Sequence, residues 1–249
     1  MGSSGLGTRG WRLGNRGSRF GVRLSGTTLF LVLGLLVVHS LGAIARERPQ
    51  PAQEPALMIT VRVYNYAQAS SQTLAAAEAE AVLILLDAGV RTTWLDCPLE
   101  AEEFASHPAC QEALGPTDVV LRILPREMAE RMPFHYAKVG FAFLTTEGPR
   151  GSMVGVFYHR IHALARGDEQ GLRLGLGRAI AHEIGHLMLR TDAHSPRGIM
   201  RGDWRREDFR GGTVVLRFTP QQAEIMRAEV RARRTQQEAA RIASERPRR

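Results

Sequence analysis

His182-Glu183-Ile184-Gly185-His186-Leu187-Met188-Leu189-Arg190-Thr191-Asp192-Ala193-His194-Ser195-Pro196-Arg197-Gly198-Ile199-Met200 is the stretch on which the reading of this chain turns. Residues four apart on an α-helix share a face, so His182 and His186 aim both imidazoles at one spot and can take two corners of a tetrahedral zinc site. Glu183 stands next door, rotated about a quarter turn. From there it reaches a water on the metal without ligating the metal, as a general base must. Asp192 and His194, both metal-competent, follow within one turn of chain after the helix. The plain alternative is two histidines on a helix surface beside an unrelated glutamate. The metal-competent residues just downstream weigh against it.

The segments around this stretch read as a mixed α/β domain. Leu57–Tyr64 alternates and is rich in Ile and Val, which predicts a strand. Ser70–Asp87 predicts a helix ended by Gly89, followed by strands at Val90–Leu95 and Asp118–Leu124 and a short helix from Pro125 to about Arg131. Val139–Thr145 and Met153–Tyr158 form a predicted hairpin around Glu147-Gly148-Pro149-Arg150-Gly151. A long helix then runs from about Asp168 to Arg190, against the preference of its glycines at 171, 175, 177 and 185. Gly175-Leu176-Gly177 lacks the third glycine and the preceding strand of a dinucleotide loop. Thr213–Phe218 reads as a short strand, and Thr219-Pro220-Gln221-Gln222 opens a last helix with a cap, a first-position proline and a capping-box glutamine. Beyond about Arg234 the sequence predicts a frayed, charged tail. His159 and His162 lie three apart and read as surface or core histidines.

The net charge of +8 is not spread evenly. Residues 1–28 and 227–249 each carry +5, which leaves −2 for the rest. The basicity belongs to the ends, so the sequence carries no nucleic-acid footprint. Lys138 is the only lysine, and the reading assigns it no role. Leu29–Val38 is an uninterrupted apolar run behind an Arg-rich leader, and Ala43-Ile44-Ala45 has the form of a signal-peptidase site. Residues 1–45 are therefore expected to be a signal peptide, or a membrane anchor through Leu29–Ala45. Either puts the remainder outside the cytoplasm, as a secreted or anchored protein. Cys97 and Cys110 suit an oxidising compartment and are disulfide candidates. In the chain-entropy model so short a loop contributes on the order of 3 kcal/mol.

The motif from His182 to Met200 resembles the metzincin clan of zinc endopeptidases, in an atypical, bacterial-looking branch: HExxH, a ligand shortly downstream, and a turn carrying methionine. The resemblance implies an α/β (α+β) fold, a metzincin-like mixed twisted sheet with an active-site helix and a C-terminal helix. It implies a catalytic domain over 57–235, after a linker at 46–56 and before a charged, disordered tail at 236–249. It also implies one Zn2+, Glu183 as the catalytic base, Met200 as the hydrophobic floor beneath the metal, and a peptide or protein substrate. The clan pattern places a glycine where this chain has Leu189 and the final ligand where it has Asp192. Here His194 lies two residues farther on and is the favoured third ligand beside His182 and His186. Its neutral imidazole suits zinc, and Ser195-Pro196 fixes an extended turn behind it. Asp192 remains the alternative third ligand, or orients a histidine. Many metzincins carry a Tyr two residues after the turn methionine, and this chain has Gly202. These departures keep open a second reading, a non-catalytic, zinc-stabilised envelope binding module.

Overall fold

The computed structural model describes residues 56–133, 138–145, 151–209 and 216–245. The expected leader, the apolar run Leu29–Ala45, the linker to Pro55, the turn at 147–150 and residues 246–249 lie outside them. Every described residue belongs to one compact unit, Glu54–Arg249. Among those residues no helix is long and apolar enough to cross a membrane.

Strand β1 (Met58–Asn65) leads through α1 (Ser71–Asp87) to β2 (Arg91–Asp96). Two short helices, α2 (Ala101–Phe104) and α3 (Pro108–Gln111), precede β3 (Asp118–Leu124) and α4 (Arg126–Glu130). The hairpin β4 (Gly140–Ala142) and β5 (Met153–Phe157) is followed by α5 (Tyr158–Ala165), α6 (Glu169–Leu189), a 3-10 turn at Arg206–Phe209 and α7 (Pro220–Glu245). The sheet has the order β2-β1-β3-β5-β4, parallel throughout except for β4, which pairs antiparallel with β5 at the edge. This is the expected mixed α/β architecture, with α6 carrying the motif and α7 at the C-terminal end.

Alternation sets the layers. Ile59, Val61 and Val63 of β1 and Val119, Leu121 and Ile123 of β3 share one core with residues of α1 and α6. On a second cluster, Phe157 of β5 packs with Leu124, Ala129 and Phe141. Buried Arg62 of β1 donates to the Glu112 carbonyl at 2.6 Å and to Asp118 at 2.9 Å. It thereby clips down the loop in which Cys97 and Cys110 are joined. A methyl group added at Gly177 would lie 2.3 Å from the Ala77 carbonyl oxygen, so the missing side chain is what lets α6 lie against α1. That contact, rather than helix propensity, accounts for a glycine inside a long helix.

Both predicted caps form. Ser70 Oγ accepts the Thr73 N–H at 3.1 Å. Thr219 and Gln222 exchange two bonds, 3.2 Å from the Gln222 N–H and 2.9 Å from the Thr219 N–H. Two expectations need correction. The tail does not fray at Arg234: α7 runs to Glu245, its exposed end held by Arg241, which bonds Glu238 at 2.6 Å and Glu245 at 2.7 Å. Of the expected strand Thr213–Phe218, residues 216–218 are described and form no strand, and Leu216 and Phe218 are buried in the core. Helix α5 was not foreseen, and no side chain caps its start.

Candidate metal centre

Helix α6 delivers His182, Glu183 and His186, all three buried. It stops at Arg190, whose φ of 53° lies in the left-handed region and whose N–H bonds the His186 and Leu187 carbonyls. The reversal therefore falls one residue after Leu189, without the helix-breaking glycine. The returning chain supplies what the imidazoles need. His182 donates from Nδ1 to the Ile199 carbonyl at 2.7 Å, and His186 from Nδ1 to the Thr191 carbonyl at 2.7 Å. A carbonyl oxygen only accepts, so each Nδ1 carries the proton and each Nε2 keeps a bare lone pair.

Those two Nε2 atoms face each other at 3.1 Å. Zinc–nitrogen bonds of about 2.0–2.1 Å in a tetrahedron would set two nitrogens roughly 3.3 Å apart, so the pair is already spaced for a shared cation. His194 joins them: its ring centroid lies 5.3 Å from that of His182 and 5.0 Å from that of His186. One ligand atom from each of the three histidines lies within 4.8 Å of the others. Asp192 is exposed and stands outside this cluster, although its negative charge is felt at His186.

Burial lowers His182 to a pKa of about 3, with the Ile199 bond opposing the shift. Burial also lowers His186, against the pull of the Thr191 carbonyl. Both rings are thus held neutral, the form that ligates metal. Burial pushes the Glu183 carboxyl up to about 8, opposed by the charge of Lys138.

Met200 is fully buried beside α6. A methyl group at Gly185 would lie 2.6 Å from Met200 Sδ and 2.7 Å from the Phe218 ring, so both side chains fill the notch that Gly185 leaves between the two histidines. Trp204 packs edge-on against His182, with centroids 5.7 Å apart. Gly202, where a tyrosine was looked for, abuts His194: a methyl there would come within 3.1 Å of Cγ. Behind the site, Arg178 bonds Glu80 at 2.8 Å and the Asp208 carbonyl, and Asp208 in turn holds Arg201. This ties the chain after Met200 to α6 one turn before His182.

A cleft of about 800 Å³ opens over the histidines, walled by β4, Lys138, Leu164 and Trp204. Strand β4 lies close to Glu183: a methyl at Gly140 would lie 2.6 Å from Glu183 Oε1. The sequence reading did not find Lys138, Phe218 or the two orienting carbonyls. None of these carries a side-chain motif of its own in the sequence. His159 and His162 are on α5 and do not belong to the cluster.

No family model and no curated protein matches the chain by sequence. Among solved structures, it is similar to the archaemetzincin of Methanopyrus kandleri, with a TM-score of 0.44 and 14% identity over 73% of this chain and 98% of that one. It is also similar to a zinc-dependent peptidase of Methanocorpusculum labreanum, with a TM-score of 0.40 and 16% identity over 60% of this chain and 91% of that one. Likeness this distant assigns no activity.

Proposed function

We propose that this chain is a zinc-dependent peptidase of metzincin type, with one zinc held by His182, His186 and His194 and with Glu183 as the catalytic base. The observation that carries the reading is the pair of buried imidazoles whose Nδ1 protons are committed to carbonyls and whose Nε2 lone pairs meet at 3.1 Å, completed by a third imidazole. Two bare lone pairs that close repel unless a cation lies between them. Three neutral nitrogen donors suit zinc. When bound, zinc supplies Lewis-acid chemistry, polarising a carbonyl and bringing a water's pKa to about 7.

The chain's own residues supply the rest. Glu183 takes a proton from the attacking water and returns it to the leaving amine. Val139–Phe143 borders the cleft, and β4 is the last strand of the sheet, so an extended peptide can add there as a further strand. Met200 and Phe218 exclude water from beneath the histidines. The substrate class is therefore a peptide or an extended protein segment. The Cys97–Cys110 bond supports action outside the cytoplasm, the protein being secreted or held at a membrane through Leu29–Ala45. A purely structural zinc would be closed by a fourth protein ligand. Asp192, the candidate for that place, stands outside the cluster, which disfavours the binding-module reading.

The test is Glu183→Gln in the zinc-loaded full-length chain. Zinc content should match the wild type, while hydrolysis of a peptide library falls by about 10²–10⁴-fold. Undiminished hydrolysis in the variant would sink Glu183 as the base. A zinc-loaded wild type that cleaves nothing would sink the peptidase reading.

A further inference from the structure

In the hydrolysis proposed above, negative charge builds on the scissile carbonyl oxygen, and a donor aimed at that oxygen accelerates the reaction. The cleft walls contain three carboxylates that face the wrong way electrostatically: Glu183, Asp192 and Asp203. Gly202 has no side chain to offer. Among the described residues lining the cleft, one Lys or Arg is present, Lys138.

The backbone places it well. Val139 is fixed to β5 by the bond from the Phe157 N–H to its carbonyl at 2.8 Å, and the Lys138 carbonyl accepts from the Arg160 guanidinium. Gly140 points its missing side chain at Glu183 Oε1. Lys138, two residues before Gly140, lines the same cleft as Glu183 and the histidines. Its charge is felt at both Glu183 and His186. The ammonium is exposed and on a flexible stem, free to meet a substrate oxygen as the peptide settles against β4.

We propose that Lys138 is a catalytic residue whose ammonium donates to the oxyanion formed on the substrate carbonyl. The proposal rests on the peptidase reading. It does not require Lys138 to bind zinc or to titrate.

The experiment compares Lys138→Met and Lys138→Arg with the wild type, as zinc-loaded full-length proteins, on a peptide capped at both ends that the wild type cleaves. Zinc content should be unchanged in both. For Lys138→Met, kcat should fall about 10–100-fold, less than for a buried oxyanion donor because the site is wet, with KM within about threefold. Lys138→Arg should recover much of the loss. A phosphinic peptide, which carries a tetrahedral anion, should bind Lys138→Met more weakly by a similar factor. An unchanged kcat with an active wild type overturns the role of Lys138 alone. A loss confined to KM, or seen only with peptides bearing a free terminal carboxylate, overturns it in favour of a carboxylate anchor. A zinc-loaded wild type with no hydrolysis removes the reaction itself, and the oxyanion role falls with it.

Discussion

His182 and His186 stand on α6 with both rings buried and both Nδ1 atoms bonded to carbonyls. His194 reaches the same point from an exposed loop after a chain reversal. The helix half is closely packed: α1 lies against Gly177, and Met200 with Phe218 fills the notch at Gly185. The loop half is held by fewer fastenings, chiefly the 2.8 Å bond from the Ser195 N–H to the Met200 carbonyl and the contact of His194 with Gly202. The difference teaches that a metal can be pre-spaced by one element and completed by another whose position costs little to change.

Removing one ligand from each half breaks that comparison most sharply. Structural zinc sites bind with about 10–16 kcal/mol over four ligands, roughly 3 kcal/mol for each, or two to three orders of magnitude in affinity. His186→Ala should lose at least that much. It also leaves the Thr191 carbonyl without its donor, so a fall in thermal stability of the metal-free protein is expected as well. His194→Ala should lose a similar or smaller factor in zinc affinity, with metal-free stability unchanged, because the ring is exposed. Asp192→Ala should alter zinc affinity by less than tenfold. Isothermal titration with zinc and thermal melts in chelator measure both. Equal metal-free stability for His186→Ala and His194→Ala would contradict the division into a rigid and a loose half.

The same division separates what was legible in the sequence from what was not. The helix half was legible because helical periodicity is local: four-residue spacing places His182 and His186 without knowledge of any partner. The five strands of the sheet, both caps and the hairpin were legible for the same reason. The glycines of α6 argued against a helix because their reason, the close approach of α1 and of Met200, is tertiary. The loop half was narrowed to His194, the favoured ligand, with Asp192 left as the alternative, since the path of a reversal depends on where Arg190 turns. Lys138 was passed over because a lone lysine has no pattern. The carbonyls of Ile199 and Thr191 are backbone atoms, and no side-chain motif announces them.

A titration on α1 tests whether the rigid half depends on the packing behind it. Glu78 is raised from an ordinary pKa of 4.5 to about 7, by burial first and then by the charge and hydrogen bond of Asp96. A carboxyl raised in the folded state keeps its proton where the unfolded chain has lost it. Its penalty is absent below about pH 4.5, grows between 4.5 and 7, and is complete above about 7. The full shift would be worth about 3 kcal/mol, and partial exposure reduces that to on the order of 1–2 kcal/mol. Glu78→Gln should therefore match the wild type in denaturant melts near pH 4.5 and exceed it by that margin at pH 8. Zinc affinity at pH 8 should be the same in both. A changed zinc affinity would mean that α1 tunes the site rather than merely supporting it.

The smallest effect lies at the joint between the halves. Arg190 ends α6 with φ at 53°, a conformation that costs a residue with a Cβ about 1 kcal/mol or more and glycine almost nothing. Arg190→Gly removes that strain but adds freedom to the unfolded chain, worth about 0.4–1 kcal/mol in the opposite direction. The net gain in stability should be no more than about 0.5 kcal/mol, close to the limit of a denaturant melt. What the substitution does to the metal is more informative than what it does to the fold. The bond from His186 Nδ1 to the Thr191 carbonyl and the return path to His194 both follow directly from the turn at this residue. If Arg190 merely pays a backbone penalty, zinc affinity in Arg190→Gly stays within about threefold of the wild type. If its left-handed turn has to be stiff to bring His194 back, zinc release quickens while His182 and His186 keep their spacing, and the loosened half is then the loop alone.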